Sequence, residues 1–135
     1  MSETAAKSRG LKPLARIVAY EDAGVAPIDF SIAPTLAVQK LLKKTGLTMQ
    51  NIDYHEINEA FSAVALANMK LLELDPERVN INGGAVALGH PLGMSGARII
   101  LSLMNVLRLK NGTLGMASIC NGGGGASAII IERMN

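Results

Sequence analysis

The chain has 135 residues, a length that suits one domain with a real core. Apolar residues make up 49% of it and charged residues only 18%, against about 25% in a typical domain, so another domain or subunit is expected to cover part of its surface. The net charge of +2 comes from scattered Lys and Arg, and there are two Tyr, two Phe and no Trp; without a basic stripe or a stacking platform, nucleic acid is excluded as a partner.

Residues 1–13 are polar, end in Lys12-Pro13 and read as an entry segment to one domain over 14–135. MSETAAKSRG lacks the apolar core of a secretory signal, and Glu3 argues against a transit peptide, so no targeting signal is read in this chain. Leu14 to Tyr20 is apolar and partly β-branched, which predicts a strand. Glu21 to Pro34 contains Gly24, Pro27 and Pro34 and predicts a loop. Thr35 to Thr45 sets Val38, Leu41, Leu42 and Thr45 on one face before Gly46, which predicts an amphipathic helix. Ile52 to Ile57 predicts a second strand. Asn58 then stands where a helix N-cap would, ahead of a stripe of Phe61, Val64, Ala65, Leu71 and Leu72, and Asp75-Pro76 is the expected stop. Val79 to Ile81 predicts a third strand leading into glycine turns.

Ser95 is the expected cap of a third helix reaching about Lys110. Ile99, Ile100, Leu101, Leu103, Met104, Val106 and Leu107 surround most of that helix, so it should be buried on all sides. One sheet covers only one side of it, which calls for a second copy or another body on the other. Leu114 to Cys120 and Ala126 to Arg133 predict two strands joined by a glycine turn. No apolar run approaches the ~18 residues of a membrane span, so no membrane partner is expected. The order β-α-β-α-β-α-β-β predicts an α/β fold: a mostly parallel five-stranded sheet with helices on both faces and an antiparallel last strand at an edge.

Ligands of such sheets bind beyond the carboxyl ends of the strands. Asn58, His90 and Cys120 each follow or end a predicted strand, so the architecture should bring them to one rim. A thiol beside backbone N–H groups can serve as a base, and the glycines after Cys120 let N–H groups approach an oxyanion; the plainer reading is a buried thiol before a turn. His90 could activate a thiol, or could be a loop histidine with one structural hydrogen bond. Asn58 could hold a water, or could simply cap its helix. One cysteine makes no internal disulfide, and no Cys/His cluster has zinc spacing, which points to a reducing compartment. The glycine loops match no nucleotide-phosphate motif.

Three segments stand in order on this β/α pattern: NEAF from Asn58, GGAVALGHP ending just past His90, and CNGGGGA from Cys120. Together they resemble the thiolase family. LKPLARIVAYEDAG, IDFSIAP, VNINGGAVALGHPLGMSGAR and ASICNGGGGASA look most like its mitochondrial branch that handles acetoacetyl-CoA.

The resemblance implies an acyltransferase that condenses two acetyl-CoA or splits 3-oxoacyl-CoA with CoA. It implies coenzyme A thioesters as substrates and no tightly bound cofactor. Cys120 matches the family's acid/base cysteine. His90 matches the histidine that activates the nucleophilic cysteine and helps bind the thioester oxygen. Asn58 matches the water-positioning asparagine, and Gly122 the N–H donor of a second oxyanion site. Phe30 falls where that branch shapes its acyl pocket, and Val86 where potassium-dependent members offer a backbone carbonyl. The family's nucleophilic cysteine belongs to an N-terminal half, so this chain is expected to be inactive alone. Its expected partners are such a half, a full-length thiolase or further copies of itself. A mitochondrial location is implied by resemblance, and otherwise a cytoplasmic one. Two alternatives stay open: a truncated, non-catalytic domain that associates with itself or with full-length thiolase, and a stand-alone hydrolase using Cys120 as nucleophile.

Overall fold

In the computed structural model, which describes residues 1–134, one four-stranded sheet lies between helices. The entry segment folds as α1 (Glu3–Ser8), whose first turn is capped by the Ser2 hydroxyl accepting from Ala5 N–H at 3.2 Å. β1 (Ala15–Gly24) runs four residues past its expected end. A 3-10 turn (Pro27–Ile32) follows, and Pro34 then sits in the first turn of α2 (Ala33–Thr45), where its missing N–H costs nothing. Gly46, left-handed at φ 70°, closes α2 by donating to Leu42 O at 2.9 Å. β2 (Tyr54–Ile57), α3 (Ser62–Leu71), a short α4 (Ala85–Leu88), α5 (Ser95–Leu109), β3 (Leu114–Cys120) and β4 (Gly125–Arg133) complete the order.

The sheet order is β1-β4-β3-β2, with β1–β4 and β4–β3 antiparallel and only β3–β2 parallel. The expected mostly parallel five-stranded sheet is therefore corrected to a mixed four-stranded one. Residues 79–81 make no strand; only Val79 bridges His55. Asn80 explains this. It is left-handed at φ 49°, and its side chain takes the place of a neighbouring strand by accepting Ile57 N–H and donating to Ile57 O, both at 2.9 Å. The last strand is not at an edge either. β4 lies between β1 and β3, and its run Ile129-Ile130-Ile131, apolar towards both faces, suits an interior strand.

Alternation along the strands divides the core. Ala126, Ala128 and Ile130 of β4 and Met116 of β3 meet Ala33, Ala37, Val38 and Leu41 of α2. Ala117, Ile129 and Ile131 meet Ile99, Leu103 and Leu107 of α5 on the opposite face. Leu103 packs so closely on β3 that a Cβ at Gly115 would stand 2.7 Å from it. α5 is one-sided rather than buried all round: Ile99, Leu103, Val106 and Leu107 are buried, Ile100 and Met104 are half-buried, and Leu101 is exposed. No helix among the described residues is long and apolar enough to cross a membrane.

Candidate functional site

Asn58 is not a helix cap. α3 starts at Ser62 with Phe61 ahead of it, and Phe61, expected on the buried stripe, is 64% exposed. Asn58 instead follows directly on β2, and its backbone N–H donates to Ser118 O at 2.9 Å. Because Ile57 pairs with Ser118, Asn58 and Cys120 finish neighbouring parallel strands at the same rim. Asn58 is fully buried, and its Oδ1 accepts from the Arg98 guanidinium on α5 at 3.1 Å.

His90 stands on the loop between α4 and α5, half-buried, with Nδ1 2.5 Å from Ser95 Oγ. Ser95, expected as a cap, is buried as the first residue of α5 and donates to Pro91 O at 3.0 Å. A carbonyl only accepts, so where Ser95 gives its single proton to Pro91 O, Nδ1 is the donor to Ser95. That assigns the lone pair to Nε2, the nitrogen able to take a proton. The loop of His90 is thus fastened to the helix that also holds Asn58.

Cys120 is a buried free thiol. Burial pushes it up from the ordinary thiol range, against a smaller lowering by its own backbone N–H. The neutral thiol is therefore the resting form, not the stabilised thiolate that the neighbouring glycines suggest. The turn after it is built by Gly124, not Gly122. At Gly124, φ is +90° and a Cβ would stand 2.3 Å from Val25 O, whereas the space around Gly122 is open.

Phe30 reaches the same rim from the 27–32 turn, edge-on to Phe61 with ring centroids 6.2 Å apart. Val86 lies in α4, 70% exposed, with its N–H donated to Glu59 Oε2 at 2.9 Å. Glu59 also accepts from Asn80 Nδ2 at 3.0 Å, so the loop after β2 clamps the glycine-rich segment. Among the described residues, no group of three or more His, Cys, Asp or Glu could hold a metal ion. Sequence reasoning gives no role to Arg98, the last residue of VNINGGAVALGHPLGMSGAR, and finds nothing in the spacing of Glu56 and Glu59 that makes them an acid/base pair. Glu56 is 1% exposed, and burial pushes its carboxyl up to about 7, with Arg98 opposing the rise and Glu59 adding to it.

Comparison with known proteins shows the family. The family model described as "Thiolase, C-terminal domain" matches residues 11–133. A mitochondrial acetyl-CoA acetyltransferase of Bos taurus is 60% identical over 134 residues, 99% of this chain and 31% of that protein. A probable acetyl-CoA acetyltransferase of Dictyostelium discoideum is 55% identical, over 99% of this chain and 32% of its own length. The crystal structure of Bacillus anthracis acetyl-CoA acetyltransferase superposes with a TM-score of 0.96 at 49% identity, covering 99% of this chain and 34% of that one. An Ascaris suum thiolase solved in complex with coenzyme A gives 0.93 at 53%, over 98% of this chain and 34% of its own. The chain thus spans about a third of the length of the curated relatives it matches, and it belongs to the thiolase C-terminal domain family.

Proposed function

We propose that this chain is the C-terminal half of an acetyl-CoA C-acetyltransferase that condenses two acetyl-CoA or cleaves 3-oxoacyl-CoA with CoA. The observation that carries the reading is the adjacency of Asn58 and Cys120 at the ends of neighbouring strands, fixed by the Asn58 N–H bond to Ser118 O. The relatives named as acetyl-CoA acetyltransferases, several of them mitochondrial, support the substrate class and a mitochondrial setting.

In condensation, Cys120 gives its proton to the CoA that leaves when the first acetyl group passes to the nucleophile, and as thiolate it takes the α-proton of a second acetyl-CoA. The carbanion attacks an acyl group carried by a cysteine of an N-terminal half; the carbon–carbon bond forms and the acyl thioester bond breaks. Thiolysis reverses this, with the Cys120 thiol returning the proton. A raised thiol makes the thiolate, once formed, a stronger base. His90 Nε2 takes the nucleophile's proton and then, protonated, donates to the thioester oxyanion beside a water held by Asn58. Gly122 N–H serves the second oxyanion. Phe30 shapes the acyl pocket, and the Val86 backbone carbonyl would offer one oxygen to a potassium ion.

An N-terminal half would lie on the α5 side of the sheet. α5 covers β2 and β3 there, while Ile17 and Tyr20 of β1 stay 63% and 65% exposed. A cavity of about 280 Å³ opens between them and α5, lined by Tyr20, Ile99, Ile100, Ile119 and Ile129. The test mixes this chain with a purified N-terminal thiolase half and follows acetoacetyl-CoA thiolysis. Turnover that disappears with Cys120→Ala supports the reading. Confirmed binding with no rate above background overturns it, and association with intact thiolase without added turnover would favour a non-catalytic domain.

A further inference from the structure

Two buried asparagines face each other in chemistry. Asn68 accepts from Thr35 N–H at 2.9 Å and Thr35 Oγ at 2.8 Å, and donates to Ser31 O and Val64 O, both at 2.7 Å. Its amide is fully used in joining α3 to the start of α2. Asn58 is equally buried, yet only its Oδ1 is engaged, and its Nδ2 meets no acceptor among the described residues. Buried amide donors are nearly always paired, so an unpaired one marks a group reserved for something that arrives.

The partner of Oδ1 decides which end of the amide is free. A guanidinium has five donors and no acceptor. Facing Arg98, Asn58 can present only oxygen, and Nδ2 must point away. Glu56, two residues before Asn58 and on the same face of β2 by strand alternation, is buried with both oxygens free of hydrogen bonds. Arg98 Nε and Nη1 are likewise buried and free of hydrogen bonds. Arg98 is the cation that acts on Glu56.

We infer that Arg98 is a positioning residue that locks Asn58 with its N–H end towards the site. The inference rests on the acyltransferase reading for its consequence. A water bound through its oxygen to Asn58 Nδ2 keeps both of its own protons for acceptors, so one is available to the thioester oxyanion. The flipped amide would accept one of those protons and weaken the water as a donor.

The test has two arms. In the first, the side-chain amide of Asn58 is followed by ¹⁵N NMR in this chain, without catalysis. The parent should give one set of resonances, Arg98→Met a second set or exchange broadening from amide flipping, and Arg98→Lys, which still only donates, a return towards the parent. Unchanged Asn58 resonances in folded Arg98→Met, or in Arg98→Gln, which can accept as well as donate, if the Met variant does not fold, overturn the inference. In the second arm, the chain is paired with an N-terminal half and assayed for thiolysis. Arg98→Met should lower kcat by up to about 100-fold with little change in KM, as for loss of orientation at a reacting centre, and Arg98→Lys should recover part of it. A KM effect at unchanged kcat also overturns the inference. Should the parent pair show no turnover, the acyltransferase reading fails, and the NMR arm alone decides the role of Arg98.

Discussion

Glu59 Oε2 accepts the Val86 backbone N–H at 2.9 Å, so a carboxylate from the loop after β2 holds the first turn of α4. Gly84 makes this bond possible, because a Cβ there would stand 2.3 Å from the Glu59 carboxyl. Gly84→Ala should therefore push Glu59 aside and break its bonds to Val86 and to Asn80. Two hydrogen bonds to a charged group, at roughly 1.5–3 kcal/mol each, predict a loss of about 3 kcal/mol or more. The urea midpoint at unchanged m would report it. A loss below about 0.5 kcal/mol, the range of ordinary surface changes, would contradict this account of the loop.

Elements with strong local signals were legible in the sequence. α2 follows its apolar face and stops at Gly46, and β3 spans Leu114–Cys120 as expected. Pairing was not legible, because neighbours in a sheet are chosen by contacts remote in sequence. β1 pairs with β4, more than a hundred residues later, and the Asn80 side chain ends a strand that the letters Val79 to Ile81 suggest. At the candidate site, the motifs carried Asn58, His90 and Cys120. Arg98 and Glu56 escaped because a lone Arg on a helix and a lone Glu in a strand have no distinguishing spacing; only burial without partners sets them apart.

Adjacent residues of β2 carry opposite pH dependences. Burial, with a smaller push from Arg78, holds His55 down at about 4, and burial drives Glu56 up to about 7. His55 favours the fold above pH 6.5, and that stability is lost as pH falls towards 4. Glu56 weighs nothing below about 4.5, and its cost grows as pH rises to 7. Each shift corresponds to about 3 kcal/mol, and between pH 4.5 and 6.5 their pH dependences cancel while their costs add, because folding in effect moves one proton from His55 to Glu56. Relative to the parent, Glu56→Gln should gain stability from pH 4.5 to 7, and His55→Leu should gain it as pH falls from 6.5 to 4. Denaturation across this range checks both signs, and a pH-independent difference for either variant would refute its assignment.

Gly122 and Gly124 should respond oppositely to the same substitution. At Gly124, alanine would meet Val25 O at 2.3 Å and adopt φ +90°, and Val25 N–H, which donates to Gly124 O at 2.9 Å, keeps the two segments from parting. Gly124→Ala should cost more than about 3 kcal/mol through strain and the lost approach. Gly122 has open space around it, so Gly122→Ala should stay within about 0.5 kcal/mol of the parent. Thermal unfolding of the two variants separates them. Equal losses would mean that the turn is not built on the approach to Val25.

His90 tests whether a hydroxyl selects a tautomer. With Ser95 giving its proton to Pro91 O, its oxygen accepts from His90 Nδ1, which leaves Nε2 unprotonated in the neutral ring. Long-range ¹H–¹⁵N correlation at a pH where the ring is neutral should identify the Nδ1–H form. Ser95→Ala removes the acceptor, and the population should shift towards Nε2–H. That form cannot take a proton at Nε2, so any turnover in the reconstituted pair should fall through kcat, whereas Ser95→Thr, which keeps the hydroxyl, should retain the Nδ1–H form. An Nε2–H ring in the parent would reverse the direction of the Ser95 hydrogen bond, and the proton-accepting role proposed for His90 would have to be abandoned.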